Sequence, residues 1–192
     1  MKKVLIATTN KDKYDIVSRI FKKTIFQEDE FIIEKLSDDI HIPSQKEEGS
    51  NIERARKKAI NAYNYLKNDY DYIVGLDDAI IIKGKIEPDI KKYINKILYE
   101  NYLHDGEEYI FNRAYCIIDK NNKMYEVALN IPEIYHPLKE KIVLEEHTYP
   151  LSHVSYPIGY NKPVCELNNE EATDYFLKYV KEGLMNLDIE KH

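Results

Sequence analysis

Thr8-Thr9-Asn10-Lys11-Asp12-Lys13 follows the apolar run Val4-Leu5-Ile6-Ala7 and precedes Ile16, Val17, Ile20 and Phe21 at helical spacing. That order predicts strand, polar turn, helix. Backbone amides point outward at such a junction, and the helix dipole favours an anion there. The short hydroxyl and amide side chains add donors, and Lys13 lies one turn onward, able to swing back toward a phosphate. The pattern suits a triphosphate tail. The same residues also suit an ordinary Thr or Asn helix cap followed by surface lysines, and the glycines of a P-loop are absent. A second group is acidic: Glu47-Glu48, and Asp77-Asp78 between the apolar segments Tyr72–Leu76 and Ala79–Ile82. Magnesium takes one or two carboxylates together with substrate phosphates and waters, so two acidic loops converging beside an anion nest would hold it. A solvated Glu pair and a turn-forming Asp pair are the alternative.

The elements that must position these residues can be read from the pattern. Lys2–Ala7 and Phe31–Leu36 read as strands, and Ser37–Gly49, with Pro43, as a loop. Ser50 and Glu53 fit a capping box for a helix reaching about Lys67, with Ile52, Ala55, Ala59, Ala62, Tyr63 and Leu66 inward and Arg54, Lys57 and Lys58 solvated. The Asp pair is expected to break a strand in two. Ile90 to Leu98 forms an amphipathic helix, Tyr109–Ile118 and Met124–Ile131 a hairpin, and Lys141–Glu145 a further strand. Tyr149–Pro163 reads as an ordered loop, and Asn169 caps a last helix stopping near Gly183. Strands and helices mix without a βαβαβ rhythm, so the expected class is α/β or α+β on a mixed sheet, in one domain over 1–192.

Thirty-four acidic against twenty-eight basic residues give a net charge of −6. This disfavours nucleic acid as a partner, because its binding draws on excess Lys and Arg; a small phosphorylated ligand needs only a local nest. No run approaches the ~18 apolar residues of a membrane span, and the short apolar run Val4–Ala7 after Met1-Lys2-Lys3 falls short of a signal peptide. Cys116 and Cys165 lack metal-ligand spacing. The expectation is a cytoplasmic protein.

Taken in order, Ala7-Thr8-Thr9-Asn10 with Lys13, Glu48-Gly49, Glu53-Arg54-Ala55 with Lys58-Ala59, and Asp77-Asp78 resemble the Ham1-type family of inosine triphosphate pyrophosphatases. Gly84-Lys85-Ile86-Glu87-Pro88, Pro157-Ile158-Gly159-Tyr160-Asn161-Lys162, Glu166-Leu167 and Glu170-Glu171 extend the resemblance over nearly the whole chain. It implies an elongated, curved mixed sheet flanked by helices, with two lobes about a central cleft, a homodimer, and magnesium-dependent cleavage of a nucleoside triphosphate to monophosphate and pyrophosphate. Deaminated purine nucleotides are the family's usual substrates. By the resemblance Thr8, Thr9, Asn10 and Lys13 hold phosphates, Lys58 contacts them too, Glu47 or Glu48 ligates magnesium, and Asp78 ligates metal or activates water with Asp77 in support. Lys162 would approach the base, Tyr149, Tyr156 or Tyr160 would stack on it, and His153 could replace a missing histidine. Several parts of the family pattern are absent: Ala79-Ile80 replaces Ser-Gly, and neither the Phe-Gly-x-Asp-Pro segment nor the late Ser-His-Arg occurs. These losses fall on base recognition, implying altered or relaxed base choice, with a nucleotide-binding sensor that has lost turnover as the alternative.

Overall fold

A computed structural model describes residues 1–143 and 149–191. The chain runs β1 (Lys2–Ile6), α1 (Lys11–Lys22), β2 (Phe31–Lys35), α2 (Asn51–Leu66), β3 (Tyr72–Ile82), β4 (Lys85–Glu87), α3 (Ile90–Tyr99), β5 (Glu108–Asp119), β6 (Met124–Tyr135), β7 (Ser155–Pro157) and α4 (Asn169–Met185). The strands form one curled mixed sheet in the order β2-β1-β3-β5-β6-β7, with β4 paired to β3. β1 is parallel to β2 and β3, and the remaining pairs are antiparallel. Among the described residues no helix is long and apolar enough to cross a membrane.

Strand alternation assigns each face its helices. Val74 and Leu76 of β3 and Tyr115 and Ile117 of β5 join Val17, Ile20 and Phe21 of α1 and Val180 and Leu184 of α4 in the main core. Ala114, Cys116 and Ile118 of β5 face the other way, onto Ala55 and Ala59 of α2. The α2 backbone lies so close to β3 that only glycine fits at position 75: a Cβ there would meet Ala55 O at 2.1 Å and Ala59 N at 2.5 Å. The Ser50–Glu53 capping box forms as expected.

The structure corrects four sequence expectations. Asp77-Asp78 does not break a strand; β3 is continuous through it, because partners on other elements satisfy both carboxylates. Arg54 is buried, not solvated: its guanidinium donates to Gly49 O and Pro88 O and pairs with Asp89 at 2.9 Å, tying the start of α2 to the loop before α3. Asn168, not Asn169, caps α4, which ends at Met185, near Gly183 as expected, with Leu129 pressed against that glycine. Residues 141–143 belong to no strand, and the rest of the expected Lys141–Glu145 strand lies outside the described residues. Tyr149–Pro163 is ordered, as expected, and contains a 3₁₀ turn at Pro150–His153 as well as β7.

Candidate active site

Successive residues of a strand point to opposite faces, so Asp77 and Asp78 look away from each other. Asp77 faces α2, where Lys58 Nζ reaches its Oδ1 at 2.5 Å and Glu47 Oε1 at 3.1 Å. Asp78 faces α1 and stands opposite Arg113 in the β3–β5 register. Arg113 Nε donates to Asp78 Oδ1 at 2.7 Å and a terminal nitrogen donates to Oδ2 at 3.1 Å, in the forked geometry that suits a carboxylate. Lys13 Nζ completes the cluster at 2.9 Å from Oδ2. Lys13 is delivered there by the α1 cap, in which Asn10 Oδ1 accepts from the Lys13 amide at 2.9 Å.

Burial and charge act in opposite directions on these acids. Burial alone would raise the Asp78 carboxyl, but Arg113 and Lys13 together hold it well below the usual carboxylate range. Burial raises the Asp77 carboxyl, and Lys58 offsets only part of that rise. Lys58 holds the Glu47 carboxyl down. Burial by itself would lower Lys58, yet Asp77 and Glu47 leave it raised overall and therefore charged.

Two cavities meet at Lys13, which lines both. One, of about 300 Å³, is bordered by Thr8, Thr9, Glu47, Arg54, Lys57 and Lys58, with Lys46 on its loop side. Five cations border it against one carboxylate, so an anion is its natural occupant. The other, of about 380 Å³, has Ile16, Phe111, Tyr149, Val164 and Phe176 as apolar walls, with Arg113, Glu133 and Ser155 rising from the strands. Its composition is that of a site for a flat ring carrying a few polar groups.

Thr8, Thr9, Lys13, Lys58 and Glu47 are thus brought together as the sequence suggested, and Asn10 sits on the side of the apolar cavity. Glu48 turns away to an ion pair with Lys46. Lys162 pairs with Glu171 at 2.8 Å and borders neither cavity. Of the three tyrosines considered for stacking, Tyr149 lines the apolar cavity, whereas Tyr156 packs on His136 and Tyr160 on Tyr175. His153 lines it too, with Cys165 Sγ 3.5 Å from its Nδ1. Arg113 was missed although it is a charged residue in a buried β pattern, which was the available signal; Glu133 was missed because the expected strand stops at Ile131, whereas β6 runs on to Tyr135.

No protein-family model and no curated protein matches the sequence. Solved structures do. A HAM1 protein from Coxiella burnetii superposes with a TM-score of 0.64 at 14% identity, over 97% of this chain and 98% of that one. The Ham1 protein of Staphylococcus aureus gives 0.57 at 14%, over 97% and 95%. A nucleoside-triphosphatase described as a dITP/XTP pyrophosphatase, from Mycobacterium abscessus, gives 0.57 at 16%, over 96% and 97%. The chain has the Ham1 fold. Within that fold the two cavities lie on either side of Lys13, and the Asp78–Arg113 pair stands beside their junction.

Proposed function

We propose that this protein is a divergent Ham1-like nucleoside triphosphate pyrophosphohydrolase, releasing a nucleoside monophosphate and pyrophosphate. One observation carries the reading: the cation-lined cavity and the apolar cavity share Lys13, which is ion-paired to Asp78. A triphosphate in the first cavity and its base in the second would place the α-phosphorus near this pair.

Thr8, Thr9 and Lys58 hold phosphate oxygens, and Lys13 neutralises charge as pyrophosphate departs. Asp78 is quenched as a base while two cations hold both its oxygens. As the phosphates draw Lys13 toward them, Oδ2 loses one partner and gains basicity, so a water there is oriented and deprotonated only with substrate bound. Arg113 keeps the carboxylate fixed throughout.

Magnesium is what the resemblance implies. Among the described residues no group of three or more His, Cys, Asp or Glu forms a cage. Glu47 and Asp77, however, converge on the one ammonium of Lys58, two hard oxygen donors about a single cationic position. That set fits magnesium, which needs only one or two carboxylates when phosphates supply the rest. Glu47 and Asp77 would hold the ion, which when bound adds polarisation of the phosphoryl oxygens. Asp78 and Glu48 are directed elsewhere.

The test is a panel of ordinary and deaminated nucleoside triphosphates with magnesium, scored separately for pyrophosphate and orthophosphate. Pyrophosphate is expected, with kcat/KM falling about 10²-fold or more in Asp78→Asn and in Lys13→Ala. Orthophosphate alone, or full activity in both variants, contradicts the reading. The complete pairing of Asp78 favours a second reading, a nucleotide sensor without turnover; tight binding with no product would select it.

A further inference from the structure

The apolar cavity ends on charged and polar groups that the hydrolytic step does not use. Tyr109, Phe111 and Arg113 alternate along one face of β5; Asp78 stands opposite Arg113 and Glu133 opposite Tyr109. Four residues of strand, about 13 Å, therefore separate the Asp78 end of this row from the Glu133 end.

Glu133 is 4% exposed and lines the cavity, with the hydroxyls of Tyr109 and Ser155 beside its carboxyl. Those two hydroxyls also bond to each other, and Ser155 Oγ donates to Leu151 O. Among the described residues no cation pairs with Glu133 as Lys13 and Arg113 pair with Asp78; Arg113 acts on it only at longer range. Burial pushes its carboxyl up to about 7, against the pull of Ser155 and Tyr109. Independently, the Tyr149 hydroxyl is buried in the same wall with no hydrogen-bond partner among the described residues, although Asp78, Tyr109, Glu133 and Arg113 all act upon it. A buried hydroxyl left unpaired costs free energy, and a ligand that supplies its partner recovers that cost.

We propose that Glu133 and Tyr149 read the edge of the nucleotide base, and that the preferred base presents an exocyclic amino group to the Glu133 carboxylate. This rests on the nucleotide reading of the site and gives it a substrate class. At pH 8 the Glu133 carboxyl, with its value of about 7, is ionised; an amino group then offers it N–H donors, whereas an oxo group in the same place sets oxygen against oxygen. Tyr149 Oη then closes the remaining hydrogen bond on the ring. The preference runs opposite to that expected from deaminated purines, and the departures from the family pattern at the base end agree with it.

Two matched pairs of nucleoside monophosphates, CMP against UMP and GMP against IMP, differ by the amino group alone or by its exchange for an oxo group. Calorimetric titration of the whole protein with all four, at pH 8, reads base preference without any need for turnover. The amino member of at least one pair should bind about tenfold tighter or more, as a hydrogen bond to a charged group implies. Glu133→Gln, whose amide can turn either face to the ring, should shrink that ratio to about threefold or less. Tyr149→Phe, which removes only an unpaired hydroxyl, should weaken both members of the preferred pair while the fold persists. Equal binding within both pairs, preference for UMP over CMP and IMP over GMP, or a ratio unmoved in Glu133→Gln overturns the proposal. If none of the four binds and no triphosphate yields pyrophosphate, the nucleotide reading itself falls; pyrophosphate release without amino preference overturns the base reading alone.

Discussion

The two carboxylates on the site face of the sheet show how partners decide what an acid can do. Asp78 and Glu133 are about equally buried, yet Asp78 is held ionised by two cations and Glu133 is driven toward neutrality. Glu133 therefore carries a pH signature in stability. Its folded-state carboxyl, at about 7, lies above the ordinary value of 4.5. The native state holds a proton that the unfolded chain releases, so this contribution is complete below pH 4.5 and is lost as pH rises through 7. The groups acting with it are Tyr109 and Arg113 from β5, Ser155 from β7, Tyr149, and Tyr175 from α4, and none of them exchanges protons in that window. The loss should be about 3 kcal/mol. Urea midpoints of wild type and Glu133→Gln, measured between pH 4.5 and 8, should show the wild type losing stability relative to the non-titrating variant as pH rises; parallel curves would contradict the assignment.

At the scale of elements, the sequence revealed helices and strands more readily than the pairings between them. Hydrophobic periodicity placed α2, α3 and the β5–β6 hairpin, and the polar turn before α1 leads to a lysine that lines both cavities. Asp77-Asp78 was misread because local chemistry treats a charged pair as a turn. Its partners Lys58 and Arg113 lie 19 and 35 positions away, and no local window contains them. Arg54 was misread for the same reason, as a charged helix residue whose acceptors come from the loop before α3. The α2–β3 contact carries a direct test. Gly75→Ala sets a Cβ against α2 backbone and should cost about 1–3 kcal/mol by overpacking. It should also loosen Lys58 from Asp77, since the helix must shift outward. A denaturant midpoint indistinguishable from wild type would mean that the contact is less tight than it looks.

For the whole molecule, the sheet acts as a ruler with a different chemistry at each end of one face. The parallel β1–β3 region presents α1, its cap and Lys13; the antiparallel β5–β7 region presents Phe111, Glu133 and Ser155. Net charge gave no hint of this arrangement, because five cations gathered at one cavity are invisible in a total of −6. The central claim is that a single nucleotide spans both cavities through Lys13. A crystal structure with an α,β-imido nucleoside triphosphate, which resists cleavage between the α- and β-phosphates, tests this most directly. The account predicts phosphates beside Thr8, Thr9, Lys13 and Lys58, with the base against the wall that Phe111 and Tyr149 form together; phosphates outside the cation-lined cavity, or a base left in solvent, would contradict it.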